Sequence, residues 1–76
     1  MHMKELVEKI VRALVDSPEQ VRVREIEAAN VRVLEIKVAK QDIGYLIGKK
    51  GKNIDALRTI AQAACKGKEC VVDIIE

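Results

Sequence analysis

Aromatic side chains are nearly absent from this chain: its 76 residues include one Tyr and neither Phe nor Trp. Single-strand binders that stack bases on ring platforms, such as RRM sheets and OB-folds, need several rings, which sets those classes aside. The one histidine, His2, stands in Met1-His2, a dipeptide ahead of Met3 that reads as a cloning remnant. Imidazole general-base catalysis and most zinc sites go with it. No apolar run approaches the roughly 18 residues of a membrane span, and no apolar core precedes a small-residue cleavage site, so we expect a soluble, cytoplasmic chain that does not engage a membrane. The two cysteines, Cys65 and Cys70, are five apart, which is neither a CxxC redox pair nor half of a zinc framework. We read them as reduced thiols packed as small hydrophobes, with a disulfide or reactive pair as the alternative.

What is present suits one small globular domain, residues 3–76. Apolar residues make up 49% of the chain and charged residues 34%, with a net charge of +2. That small net value hides a division. Residues 1–39 are neutral, residues 40–68 carry seven Lys/Arg against Asp42 and Asp55, and residues 69–76 are acidic. A neutral protein with one basic third points to a local anion site.

Residues 4–16 place Leu6, Val7, Ile10, Val11 and Leu14 on one stripe of an amphipathic helix, which Asp16-Ser17-Pro18 stops. Residues 21–27 and 31–38 alternate as strands around Ala28-Ala29-Asn30, predicting an antiparallel hairpin. The apolar parity shifts at Glu25, which predicts a bulge. From 41 to 66 the period becomes helical. Asp42 is placed to cap a short helix containing Ile43, Leu46 and Ile47, and Gly48-Lys49-Lys50-Gly51 interrupts it. A second helix carries Ile54, Leu57, Ile60, Ala61 and Ala64 and ends at Lys66-Gly67-Lys68. Residues 70–75 form a closing strand, parallel to the second because a helical crossover joins them. The expected architecture is α+β, in the order α-β-β-α-α-β, with a three-stranded mixed sheet and three helices on one face.

One segment carries chemistry: Ile47-Gly48-Lys49-Lys50-Gly51-Lys52-Asn53-Ile54. Gly48 can take positive φ to finish the first helix, and Gly51 has no Cβ to hold a backbone at a distance. The following helix begins with unpaired N–H groups and the positive end of its dipole, which attract an anion. Lys49, Lys50 and Lys52 surround that end, while Ile47 and Ile54 are expected to point into the core and hold the flanks. A P-loop does not fit, because Gly44 and Gly48 are too close and Lys49 is followed by Lys50. A dinucleotide fingerprint would need glycine where Leu46 stands.

Within this element order, the segment matches the IGxxGxxI signature of KH domains, and the order itself matches their type II arrangement. Residues 3–76, including Met3-Lys4-Glu5-Leu6-Val7, Ala13-Leu14-Val15-Asp16 and Ala56-Leu57-Arg58, resemble the small bacterial KhpA family. The resemblance implies binding of single-stranded RNA, with the GxxG loop clamping the backbone of about four nucleotides. By position, Gly48, Lys49, Lys50 and Gly51 would form the clamp. Ile47, Ile54 and Gly44 would shape the helical side of an aliphatic groove, Ile36 and Val38 the strand side, and Lys52 and Arg58 would add charge. It also implies an RNA chaperone or post-transcriptional regulator that dimerises and partners a larger KH-containing RNA-binding protein in control of cell elongation and envelope synthesis.

Other features read more plainly. Tyr45 is expected to be partly buried or exposed on the short helix. Arg22, Arg24 and Arg32 are balanced by acids and read as a solvated sheet face. Val31, Val33, Val71 and Ile75 fall opposite the core, and their exposed apolar area hints at self-association. Helix-turn-helix DNA binding is an alternative, as two helices joined by a Gly-containing turn describe it too, but the basic residues crowd the turn instead of a recognition helix. A protein-interaction adaptor is another. An enzyme is not expected: no carboxylate pairs with a nucleophile, and nothing calls for a metal, a cofactor or a small-molecule substrate.

Overall fold

The computed structural model describes residues 3–65 and 69–75. The first helix, α1 (Met3–Leu14), buries Met3, Val7 and Val11, spaced four apart along one stripe. Leu6 and Ile10 are half-buried beside them, and Leu14 lies at the exposed end. On the outer side Arg12 pairs with Glu8 at 2.9 Å. Proline at 18 forbids a further helical turn at Ser17, and a short 3-10 turn, Pro18–Gln20, leads into the sheet.

Strand β1 (Arg22–Glu27) runs antiparallel to β2 (Val31–Lys37). Arg22 faces Lys37 and Glu27 faces Arg32, in unbroken register between. The expected bulge at Glu25 is therefore absent. Instead the parity shift is real: Glu25 stays on the helix-facing side, and Ile26 turns to the open side. An inward carboxylate is tolerated because Arg32, also on that side, approaches Glu25 and Glu27 at 3.1 Å each. Accordingly the three hairpin arginines do not share one face. Arg24 lies on the outer face, paired with Glu35 at 2.8 Å, whereas Arg32 faces the helices.

Strand β3 (Glu69–Ile75) pairs with β2 in parallel, from Val31 opposite Glu69 to Lys37 opposite Ile75. The sheet order is β1-β2-β3. A parallel pair needs a crossover, and the two helices between the strands supply it. Val23, Leu34, Ile36 and Val72 form the sheet's contribution to the core, packed against Val7, Val11, Leu46, Leu57 and Ala61. The architecture is α+β, with three helices and a three-stranded mixed sheet.

A 3-10 turn, Lys40–Asp42, precedes α2 (Ile43–Ile47). Only Leu46 of α2 is fully buried, with Ile43 half-buried. A further 3-10 turn, Lys49–Gly51, connects α2 to α3 (Lys52–Ala64), which buries Ile54, Leu57 and Ala61. The expected glycine stop at Gly67 lies outside the described residues; the helix ends at Cys65, whose N–H donates to the Gln62 carbonyl.

Two expectations are corrected here. Asp42 does not cap α2 with its side chain. It is fully buried, and its two carboxylate oxygens accept the backbone N–H groups of Asp16 at 3.2 Å and Ser17 at 2.9 Å. Backbone amides left over where α1 ends thus anchor the start of α2. Cys65 and Cys70 are not free thiols but are joined as a disulfide, because the end of α3 returns alongside the start of β3.

Candidate nucleic-acid interface

The connection from α2 to α3 runs through three residues of positive φ. Gly48 sits at φ 76°, ψ 174°, Lys50 at φ 56°, ψ 29°, and Gly51 at φ 75°, ψ 15°. Its backbone bonds are local. Gly48 N–H donates to the Gly44 carbonyl at 2.9 Å, and Gly51 N–H donates to the Gly48 carbonyl at 3.2 Å. A lysine at left-handed φ costs about 1 kcal/mol or more, so the surroundings must hold Lys50 there.

Asn53 does much of that holding. Its Nδ2 donates to the Tyr45 carbonyl at 2.7 Å, tying the first turn of α3 to the body of α2. The same residue crowds position 48. A Cβ on Gly48 would lie 2.7 Å from Asn53 Cγ and 2.9 Å from its backbone N. Gly51 is required by its φ alone, since its nearest neighbour would be Ile54 Cγ2 at 3.8 Å. Gly44 meets neither condition: nothing approaches within 4 Å of where its Cβ would be. It leaves bare backbone on the surface of α2.

Lys49, Lys50 and Lys52 are exposed around the loop, and among the described residues none has an ion-pair partner. Arg58, one and a half turns further along α3, is paired loosely with Asp55 at 3.5 Å. Cations without an ion-pair partner among the described residues, beside the positive end of the α3 dipole, make a surface that attracts phosphate.

The predicted site residues divide by depth. Gly44, Ile47, Gly48, Lys49, Lys50, Gly51, Lys52 and Arg58 lie at or near the surface. Ile36, Val38 and Ile54 are buried in the core and support the site from beneath. Ile47 does not point inward as expected. Leu46 takes the core position, which turns Ile47 outward to 39% exposure beside the loop, and Tyr45 is 55% exposed on the same short helix. Two contributors were missed as site residues, Asn53 and Asp42. Each stands directly before an apolar-periodic stretch, yet that position signalled neither role, because both act through partners elsewhere in the chain.

Elsewhere the features are weaker. A depression of about 260 Å³ lined by Arg22, Arg24, Glu35, Lys37 and Ile75 lies on the outer sheet face. Glu35 neutralises Arg24 there, and Arg22 donates to the Glu19 and Val21 carbonyls. Among the described residues no cluster of His, Cys, Asp or Glu could hold a metal ion, and no helix is long and apolar enough to cross a membrane.

Comparison with known proteins agrees with this geometry. A family model described as KhpA/KhpB, KH domain, matches residues 4–74. The chain is 47% identical to the "RNA-binding protein KhpA" of Clostridium perfringens over 75 residues, covering 96% of this chain and 100% of that protein. It is 44% identical to the protein of the same name from Clostridium acetobutylicum, with the same coverage. With that of Aquifex aeolicus it shares 41% identity over 76 residues, covering 97% of this chain and 96% of the other. No solved structure matches. With the match running through both helices of the GxxG corner and all three strands, the chain belongs to the KhpA/KhpB family of KH domains.

Proposed function

We propose that this protein binds single-stranded RNA through the GxxG loop and the adjoining surface of α2. The observation that carries the reading is the loop itself, with positive φ at Gly48, Lys50 and Gly51 and three lysines that have no ion-pair partner among the described residues. Phosphates of the RNA backbone sit against the loop and the start of α3, with Lys49, Lys50 and Lys52 supplying charge. Bases lie over Ile47 and the bare backbone at Gly44, on a floor held up by Ile36, Val38 and Ile54. Such a groove reads bases by apolar contact, which is compatible with a single Tyr. The relatives' common name, RNA-binding protein, supports the same choice. The family is one of KH domains and not of enzymes.

The wider role we assign is that of a cytoplasmic RNA chaperone or post-transcriptional regulator. It works as a homodimer or with a larger KH-containing RNA-binding protein, in control of cell elongation and envelope synthesis. One groove of about four nucleotides binds weakly, and a second linked groove raises affinity through effective concentration. Support for association comes from the outer sheet face. Ile26, Val33 and Val71 stand in one register row across all three strands, with Ile26 and Val71 each 40% exposed.

Fluorescence anisotropy with a short unstructured RNA, matched single-stranded DNA and duplex DNA, at two salt concentrations, tests the binding reading. Wild type is compared with Lys49→Asp/Lys50→Asp, whose fold is checked by circular dichroism. Asp tolerates the left-handed backbone at position 50. We expect RNA binding that weakens with salt and largely disappears in the folded variant. Preferential duplex binding would instead favour a helix-turn-helix mode, and an unaffected variant would remove the loop from the site.

A further inference from the structure

The sulfur atoms at the far end of α3 take no part in the RNA-binding reading. Cys65 closes α3 and is buried in the core at 3% exposure, in one cluster with Leu57, Ala61 and Val72. Cys70, on the helix-facing side of β3, is only half-buried. The two are joined with their Cα atoms 6.2 Å apart, and the chain has no other cysteine to compete for either partner.

Their surroundings suit both oxidation states. A reduced Cys65 would remain among apolar neighbours as a small hydrophobe. Cys70 Sγ lies 3.7 Å from the Sδ of Met3, which α1 contributes. In the disulfide that sulfur carries no hydrogen, so the contact is one of van der Waals packing. As a thiol it gains an S–H that the Met3 thioether can accept. The two sulfurs also differ in access, and exchange requires that a thiolate reach one of them.

We propose that Cys65 and Cys70 are a reversible thiol–disulfide site, with Cys70 the sulfur attacked by a dithiol reductant and Cys65 the leaving group. A thiolate of the reductant attacks Cys70 Sγ and the bond between the two cysteines breaks. Its electron pair goes to Cys65, which takes up a proton. The second thiolate of the reductant then attacks the reductant sulfur in the mixed disulfide. Cys70 leaves as a thiolate and is protonated, and the reductant departs as a disulfide. Two electrons pass to the protein. A small-molecule disulfide such as oxidised glutathione drives the reverse. The closed form ties the end of α3 to β3 and so resists opening of that junction. None of this depends on RNA binding.

The test uses the whole chain equilibrated with dithiothreitol or with oxidised glutathione, quenched with N-ethylmaleimide and weighed by intact mass spectrometry. We expect no adducts after oxidation, two after reduction, a monomeric mass in both, and recovery of either state on exchanging the buffer. The thermal midpoint of the reduced form should fall by about 10 °C, given the loop closed and the size of the domain. Access is read with dithionitrobenzoate: Cys70 in the Cys65→Ala variant should react about tenfold faster than Cys65 in the Cys70→Ser variant. Should either variant fail to fold, brief treatment of the wild type with reduced glutathione, acid quench and peptide mapping should place the mixed disulfide on Cys70. Two adducts persisting under oxidation, covalent dimers, or an unmoved midpoint would overturn the site. Faster reaction at Cys65 would overturn the assignment of the attacked sulfur.

Discussion

The Asn53 side chain donates a 2.7 Å hydrogen bond to the Tyr45 carbonyl, across the loop that separates their helices. One bond therefore links the two elements whose relative placement shapes the loop. Replacing Asn53 by Ala should lower stability by about 1 kcal/mol. RNA affinity should fall further than that loss of fold explains, because Lys50 and Gly51 are no longer held in their left-handed states. Urea denaturation and anisotropy on the same samples separate the two effects. Equal RNA affinity in the folded variant would show that the loop keeps its shape unaided.

The three glycines of this region should respond differently to alanine. Gly48→Ala meets both the positive φ and the Asn53 side chain, so a loss of more than about 2 kcal/mol is expected. Gly51→Ala meets only the φ penalty, about 1 kcal/mol. Gly44→Ala enters open space within a helix and should be neutral or stabilising, by up to about 1 kcal/mol. If RNA packs on the bare backbone of α2, that same stabilised variant should bind more weakly. The ranking is read from urea midpoints, and the binding effect from anisotropy.

Buried Asp42 offers a test remote from the loop. Its carboxylate accepts from two backbone amides and is closed off from water. Asp42→Asn keeps the volume but leaves one acceptor oxygen for two donors, a loss of about 1–3 kcal/mol. A lowered urea midpoint with an unchanged slope is the expected readout. No change would mean that the amides of Asp16 and Ser17 find water instead.

Adjacent residues Leu46 and Ile47 should separate folding from binding. Leu46 is fully buried, and its truncation to Ala should cost about 2–5 kcal/mol. Ile47→Ala removes a side chain already 39% exposed and should cost less than about 1 kcal/mol, while weakening RNA binding. Chemical denaturation and anisotropy on the pair make the comparison.

Most of this architecture could be read from periodicity. The stripe of α1 and the change from alternating to helical spacing after Val38 place the elements, and the glycines at 48 and 51 place the corner. What periodicity missed depends on partners far along the chain. Glu25 faces inward because Arg32 sits across the hairpin to receive it, and no local pattern announces that. The outward turn of Ile47 follows from the brevity of α2, which has room for one deeply buried side chain and gives that place to Leu46. Asp42 stood where a cap was expected, yet its donors come from 25 and 26 residues earlier. The cysteines, judged by spacing alone, gave no sign that a helix end and a strand start would meet.

The parallel pairing of β2 with β3 has a kinetic consequence. β1 and β2 can zip together across a three-residue turn, within microseconds for a hairpin. The other edge of β2 must wait for a partner 38 positions away, since Val31 pairs with Glu69. Until the corner of α2 and α3 has folded over, that edge carries unpaired amides and carbonyls beside Leu34 and Ile36. Closing so long a loop is slow, and the half-built sheet is open meanwhile to strands of other molecules. Refolding yield should therefore fall with protein concentration more steeply than native stability alone would suggest.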